Sequence, residues 1–152
     1  MNKKFKWLLL LSWMIIIFVF SSQPAVISDE KSKYVIMVFQ LLGLNLNSML
    51  GDLANFAVRK TAHFLEYFIL YILLFNALYE KGNLRRAIIL PLIVLFFYAC
   101  SDELHQLFVP GRACRFKDVI IDTSGGALGA LIKYISIGSK TNILKGEKHE
   151  KV

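Results

Sequence analysis

The segment "AIILPLIVLFFYACSDELHQLF" (Ala87–Phe108) decides the fold, because it joins a long apolar run directly to a cluster of polar side chains. A helix needs roughly 17–25 residues to cross the hydrocarbon core of a bilayer, and this segment is long enough to do so. Asp102, Glu103, His105 and Gln106 all fall near its end. Carboxylates are costly inside a membrane unless they meet polar partners. The segment therefore predicts a membrane helix with a polar site near one end.

The composition of the whole chain agrees with a membrane protein. Of its 152 residues, 56% are hydrophobic, and the mean hydropathy is +0.53. A soluble domain of this size could not bury so much apolar surface. Three more apolar segments stand out: Phe5–Phe20, Thr61–Tyr79 and Val119–Ile137. We therefore predict an all-α polytopic membrane protein with four transmembrane helices.

The regions around these segments complete the predicted architecture. The first segment has a basic start, as in a signal peptide, but "FSSQPAVIS" gives no good small-x-small cleavage site. The stretch Gln23–Lys60 carries apolar residues at helical spacing, interrupted by Gly and Asn, and predicts one or two short amphipathic extracytoplasmic helices. We expect one membrane domain over residues 1–140 and a polar cytoplasmic tail over residues 141–152.

The distribution of Lys and Arg predicts the orientation. Four spans put both termini on one side, which carries 11 of the 18 basic residues, against 7 on the other side. The first side holds Lys3, Lys4, Lys6, Lys81, Arg85, Arg86, Lys133, Lys140, Lys145, Lys148 and Lys151. The second side holds Lys31, Lys33, Arg59, Lys60, Arg112, Arg115 and Lys117. Because cytoplasmic loops are enriched in Lys and Arg, we expect cytoplasmic termini in the cell membrane. The net charge of +7 then reflects topology, and we expect no nucleic-acid partner.

The predicted helices place acidic side chains at a common depth. At 1.5 Å per residue, Asp102, Glu66 and Asp122 would lie roughly 6–9 Å below the outer edge of the hydrocarbon core. The candidates for catalytic roles at this depth are His63, Glu66, Asp102, Glu103, His105 and Asp122. The candidates for substrate binding are Arg59, Lys60, Gln106, Arg112, Arg115 and Asp118. These groups could equally form a polar network that only stabilises the bundle.

Two glycine-containing motifs bear on the geometry of this layer. Pro110-Gly111 is typical of a type II turn, which would direct Arg112 back toward the acidic groups or toward lipid phosphates. Gly125 and Gly129 are four residues apart and would let another helix approach closely. We also expect Asp102 or Glu103 to lie within hydrogen-bonding reach, directly or through one water, of at least two further groups, beneath a cavity that opens toward the outer surface or the outer leaflet. The groups expected as partners are His63, Glu66, Arg59, Lys60, Arg112 and Asp122.

The sequence gives little support for a metal or a cofactor. His63/Glu66 and Asp102/His105 are pairs three residues apart, but they match no established zinc motif. Neither a P-loop nor a dinucleotide-binding motif is present. Cys100 and Cys114 are expected to be free thiols.

The motifs just described resemble those of the VanZ-like family of small bacterial membrane proteins. The resemblance rests on "FSSQP" (Phe20–Pro24), "RKTAHFLEY" (Arg59–Tyr67) and "SDELHQLFVPGRACRFKDVIIDTSGGALG" (Ser101–Gly129). It implies a multi-pass helical protein of the cell envelope and a link to teicoplanin resistance.

Two functional hypotheses follow from the residues and the resemblance. In the first, a non-enzymatic protein uses this polar site to limit the access of a lipid-tailed antibiotic or to handle an anionic envelope lipid. In the second, an intramembrane enzyme acts on a lipid-linked substrate, with Asp102, Glu103 or Asp122 as acid or base and a histidine as its partner. The expected partners are membrane lipids, and a lipoglycopeptide or a lipid-linked cell-wall precursor. A proton pathway is less favoured, because the cytoplasmic halves of the spans carry no acids to continue a relay.

Overall fold

A computed structural model describes residues 2–79 and 83–149 of the chain, with side chains up to residue 137. These ranges contain helices and no strand. The helices are α1 (Lys3–Ser21), α2 (Ala25–Leu41), α3 (Leu46–Leu50), α4 (Leu53–Leu78), α5 (Leu84–Gln106) and α6 (Phe116–His149). The all-α prediction is confirmed for this part of the chain. The predicted tail over 141–152 lies partly on the last turns of α6, and residues 150–152 fall outside the described ranges.

Asparagine side chains begin three of the helices. Asn2 accepts a hydrogen bond from the backbone N–H of Lys4, and Asn83 accepts one from Arg86. Asn45 does the same for α3. Each bond satisfies one of the N–H groups that have no partner within a helix, which is why asparagine is favoured at this position.

Three of the helices are long and apolar enough to cross a membrane: α1, α4 and α5. The prediction of four such helices was wrong by this measure, because α6 is not among them within the described residues. Asp122 and Lys133 lower the hydropathy of α6, and so do the polar and glycine residues at positions 123–126. The start of α4 also differs from the prediction. It begins at Leu53, so the residues up to Lys60 belong to this helix and not to the amphipathic stretch.

Close packing of glycines holds α6 against α4 and α5. A Cβ atom on Gly125 would overlap the backbone oxygen of Phe64 in α4. A Cβ on Gly129 would lie 2.8 Å from the ring of Tyr71, and one on Gly126 would lie 2.7 Å from Leu95 of α5. The predicted close approach at Gly125 and Gly129 is therefore confirmed. At Gly125 the backbones of α4 and α6 are almost in contact.

Large side chains from several helices form the core, and apolar side chains also cover the outside. Tyr67, Leu70 and Tyr71 of α4 are fully buried, together with Leu95 of α5. Many large apolar residues are exposed, among them Ile15 (63%), Phe97 (65%) and Leu131 (54%). An apolar exterior of this extent is typical of a protein that contacts lipid.

Helices α2 and α3 occupy the region predicted to be amphipathic, and α2 is tied to the end of the bundle. The backbone N–H of Ala25, at the start of α2, donates to the carbonyl oxygen of Pro110 at 3.2 Å. Asp29 of α2 forms an ion pair with Arg59 of α4. These contacts place α2 beside the first turns of α4. The location of α2 and α3 on a membrane surface stays a prediction.

Candidate functional site

Four buried polar side chains mark one end of the bundle, where α1 and α5 end and α4 and α6 begin. Asp102, Glu103 and Gln106 of α5 are between 1% and 4% exposed, and Asp122 of α6 is completely buried. Buried carboxyl groups are unfavourable unless they are paired or hydrogen-bonded. The partners of these groups therefore define what the site can do.

His63 and Asp122 form the deepest cross-helix pair. The Nδ1 atom of His63 lies 3.6 Å from Oδ1 of Asp122, which is within ion-pair range but longer than a hydrogen bond. No hydrogen bond to either oxygen of Asp122 is present within the described residues. Since Nδ1 lies toward Asp122, Nε2 is the ring nitrogen directed away from that carboxylate.

Two further ion pairs lie closer to the surface. Lys60 Nζ is 2.6 Å from Asp118 Oδ1, and both side chains are largely buried. Arg59 Nη1 is 2.8 Å from Asp29 Oδ1, and this pair is more exposed. The first pair joins α4 to α6, and the second joins α4 to α2. Together they place Arg59 and Lys60 nearer to the end of the bundle than the buried acids.

Asp102 and Glu103 have one satisfied and one unsatisfied oxygen each. Gln106 donates to Asp102 Oδ2 at 3.4 Å, and the backbone N–H of Arg115 donates to Glu103 Oε2 at 2.9 Å. Oδ1 of Asp102 and Oε1 of Glu103 are buried without a hydrogen bond in the described structure. The direct bonds in the described structure thus go to Gln106 and to backbone, and none goes to the six expected partners. Contact with those partners through one water stays a prediction.

The turn between α5 and α6 has the predicted form. The backbone N–H of Arg112 donates to the carbonyl oxygen of Val109 at 3.1 Å, and Gly111 has a φ of 73°. A positive φ at the third turn position is the mark of a type II turn and favours glycine. The turn returns Arg112 toward the bundle, where its Nε donates to the carbonyl oxygen of Gln23. Burial and the nearby Arg59 lower the pKa of Arg112. A cation that has lost water in this way gains from an anionic partner.

A cavity of about 250 Å³ lies at this end of the bundle. That it opens toward the outer leaflet stays a prediction. Its polar lining includes Arg59, His63, Glu66, Asp102 and Arg112, and its apolar lining includes Ile17, Phe20, Val35 and Val58. A smaller cavity of about 60 Å³ is lined by Arg59, Lys60, His63, Gln106, Arg112, Arg115 and Asp118. Arg59, His63 and Arg112 line both cavities. These three residues therefore lie where the larger cavity and the smaller, basic cavity meet.

Asp122 lines neither cavity, and two further candidate residues, both on α5, also lie away from them. Glu103 lines neither, and its hydrogen bond to Arg115 holds the end of the loop before α6. His105 also lines neither. Its Nε2 lies 3.1 Å from the Ser22 hydroxyl, and its ring packs on Phe18 at 4.6 Å. Their positions are those of side chains that join α5 to neighbouring segments.

The structure adds cavity residues that were not among the sequence candidates. Ser21, Gln23 and Lys31 line the larger cavity, and Lys31 donates to the Gln23 side chain at 2.7 Å. The motif "FSSQP" contains the first two and could have indicated them. Asp29 and Lys31 lie on α2, and only the docking of α2 reveals that they belong here.

Metal-ligating residues do not gather in the part of the chain that the structure describes. No group of three or more His, Cys, Asp or Glu residues there has a geometry that could hold a metal ion. Both cysteines are free, with Cys100 half-buried and Cys114 exposed.

The fold and this end of the bundle define a helical membrane protein with buried carboxyl groups and a histidine beneath a rim of cations. A family model described as VanZ/LLP1 matches residues 5–137, which is most of the chain. The chain belongs to this VanZ-like family. Comparison with curated proteins and with solved structures gave no match.

Proposed function

We propose that this VanZ-like protein binds the anionic headgroup of a cell-envelope lipid in the larger cavity, and that it thereby lowers susceptibility to lipoglycopeptides such as teicoplanin. One observation carries the proposal. Arg59 and Arg112 line the same cavity as the apolar side chains of Phe20, Val35 and Val58. A phosphate favours guanidinium partners, and an alkyl chain favours the apolar wall.

The proposed orientation places the cavity in the outer leaflet. The opposite end of the bundle carries Lys3, Lys4 and Lys6 at the start of α1 and Arg85 and Arg86 at the start of α5. An excess of Lys and Arg is typical of the cytoplasmic side. The site would then face the side where lipid-linked cell-wall precursors and lipoglycopeptides are found.

Binding can be tested with the purified full chain in nanodiscs. We expect it to bind hexadecyl phosphate, which combines a phosphate with an alkyl chain, and to bind hexadecanol much more weakly. Arg112→Gln should weaken phosphate binding, whereas Lys33→Gln, on the exposed side of α2, should not. Equal binding of the phosphate and the alcohol would contradict a phosphate site.

The resistance part of the proposal has a separate test. Expression in a susceptible Gram-positive host should raise the tolerated concentration of teicoplanin more than that of vancomycin, which has no lipid tail. Arg112→Gln should abolish this difference at an equal protein level. Equal effects on both antibiotics, or no effect, would contradict this part and leave lipid binding to be judged separately.

Intramembrane catalysis is a second candidate function, and a specific observation favours it. Oδ1 of Asp102 and both carboxylate oxygens of Asp122 have no hydrogen bond in the described structure, and Asp102 lines the larger cavity together with His63, which is paired with Asp122. Unpaired buried polar groups at a cavity are costly to stability and mark functional sites. Asp102→Asn should then abolish turnover of the lipid-linked substrate without loss of folded protein. A loss of folded protein in proportion to activity would indicate a structural network instead.

A further inference from the structure

We infer that the site hydrolyses a lipid phosphomonoester, with His63 as the nucleophile that takes up the phosphoryl group. The inference rests on the proposed function, because it requires that a lipid phosphate binds in the cavity. It gives the second candidate function a reaction class and assigns roles to individual residues. It is carried by the surroundings of His63.

The first observation is the orientation of the His63 ring. Asp122 lies beside Nδ1 and is fully buried, so it can hold Nδ1 protonated and stabilise the positive charge that the ring gains on attack. Nε2 is then the nitrogen with a free lone pair. Histidine acts as a covalent nucleophile when a neighbouring group orients it in this way.

The second observation is that two arginines share both cavities with the histidine. Arg59 and Arg112 line both cavities together with His63. A phosphoryl group held at this boundary would have cationic donors for its oxygens and Nε2 facing its phosphorus. Phosphoryl transfer depends mainly on such positioning and on charge stabilisation of the equatorial oxygens.

The third observation is an acidic residue, Glu66, in the larger cavity. Glu66 is one helical turn from His63 on α4, and it also lines the larger cavity. Within the described residues this carboxyl group forms no ion pair and no hydrogen bond, since only the Glu66 backbone oxygen has a partner, the indole N–H of Trp13. A carboxyl group that makes no ion pair, in a cavity with partly apolar walls, is suited to carry a proton. Glu66 can therefore protonate the departing lipid oxygen.

The steps balance without an external oxidant or reductant. Nε2 of His63 forms a bond to phosphorus while the bond from phosphorus to the lipid oxygen breaks, and Glu66 gives its proton to that oxygen. The lipid alcohol leaves. Water then attacks phosphohistidine and transfers a proton to Glu66, which releases inorganic phosphate and restores His63. The basic cavity of about 60 Å³ has room for about two waters beside His63.

The test uses the purified full chain in nanodiscs with ³²P-labelled hexadecyl phosphate. We expect release of inorganic phosphate and hexadecanol in equal amounts. Acid quenching destroys phosphohistidine, so a base-stable, acid-labile label should be trapped on the protein by alkaline quenching. His63→Gln should remove both the label and the turnover. Glu66→Gln should slow turnover by on the order of 10²–10⁴-fold.

Matched controls separate the chemistry from folding and from binding. His105→Gln changes the same residue type outside both cavities, and a similar loss in that variant would contradict the role of His63. Binding of hexadecyl phosphate without phosphate release or label would overturn this inference and leave the binding proposal standing. A lack of binding by the folded wild-type protein would overturn both. If His63→Gln does not fold, the label on the wild-type protein and the Glu66→Gln rate still decide the question.

Discussion

Nδ1 of His63 on α4 lies 3.6 Å from Oδ1 of Asp122 on α6, so the central pair of the site exists only when these two helices are packed together. The glycines of α6 make that packing possible, since Gly125 meets the backbone of Phe64, the residue after His63. The close helix contact and the histidine–carboxylate pair are thus two parts of one arrangement.

Replacing Asp122 by Asn should separate binding from catalysis. The substitution preserves size but removes the negative charge that favours the charged imidazole ring. We expect hydrolysis of hexadecyl phosphate to fall by on the order of 10²-fold or more, and binding to change by only a few-fold. Parallel measurements of phosphate release and equilibrium binding would check this. Asp52→Asn is a suitable control, because Asp52 is exposed and makes no side-chain capping bond. An unchanged rate in folded Asp122→Asn would contradict the role assigned to the pair.

The two ion pairs at this end should differ in their effect on stability. The side chains of Lys60 and Asp118 are 14% and 13% exposed, whereas those of Arg59 and Asp29 are 25% and 43% exposed. Removing Lys60 leaves a largely buried carboxylate without its cation. We expect Lys60→Gln to lower the free energy of unfolding by about 1–3 kcal/mol. Arg59→Gln should cost about 1 kcal/mol or less, because solvent screens that pair.

The free energies of unfolding of Lys60→Gln and Arg59→Gln can be measured in the same detergent at low and at high salt and compared with that of the wild type. Added salt should weaken the contribution of the Arg59 pair more than that of the Lys60 pair. Equal destabilisation by the two substitutions would show that burial does not set the strength of these pairs.

Gly125→Ala tests the contact between α4 and α6. The added Cβ would overlap the Phe64 carbonyl oxygen, so the helices would have to move apart. Overpacking of this kind costs about 1–3 kcal/mol. We expect a lower midpoint of thermal unfolding in detergent, and a loss of ligand binding because α4 and α6 both line the smaller cavity, which would change shape. Ser124→Ala, on the exposed side of the same turn, is the control and should unfold like the wild type. Full binding by Gly125→Ala would mean that the site does not depend on this contact.

The hydropathy of the sequence was enough to locate the long helices, but not to decide which of them qualify as spans. Helix α6 has the length of a span, yet Asp122, its glycines and Lys133 reduce its hydropathy. The glycines let α6 pack closely against α4, and Asp122 pairs with His63 of the site. The early start of α4 at Leu53 was missed, because Leu53 and Phe56 continue the amphipathic pattern of the preceding stretch.

The residues of the site were largely predictable, but their partners were not. Spacing along each helix placed His63, Glu66, Asp102 and Asp122 at one end of the bundle. The rotation of α5 about its axis, which buries Asp102 and turns His105 toward α1, depends on packing between helices. The contribution of α2 is also tertiary, since the pair between Asp29 and Arg59 joins residues 30 positions apart.

The proposed orientation can be tested with a native cysteine. Cys114 is exposed in the loop before α6, at the end of the bundle that carries the site. In a Cys100→Ser background, Cys114 should react with a membrane-impermeant maleimide added to intact cells. The opposite end is represented by Asn83→Cys in a chain that lacks both native cysteines. Asn83 is exposed at the start of α5, and its cysteine should react only after the cells are opened. The reverse pattern would place the site on the cytoplasmic face, and would contradict an action on lipoglycopeptides at the outer leaflet.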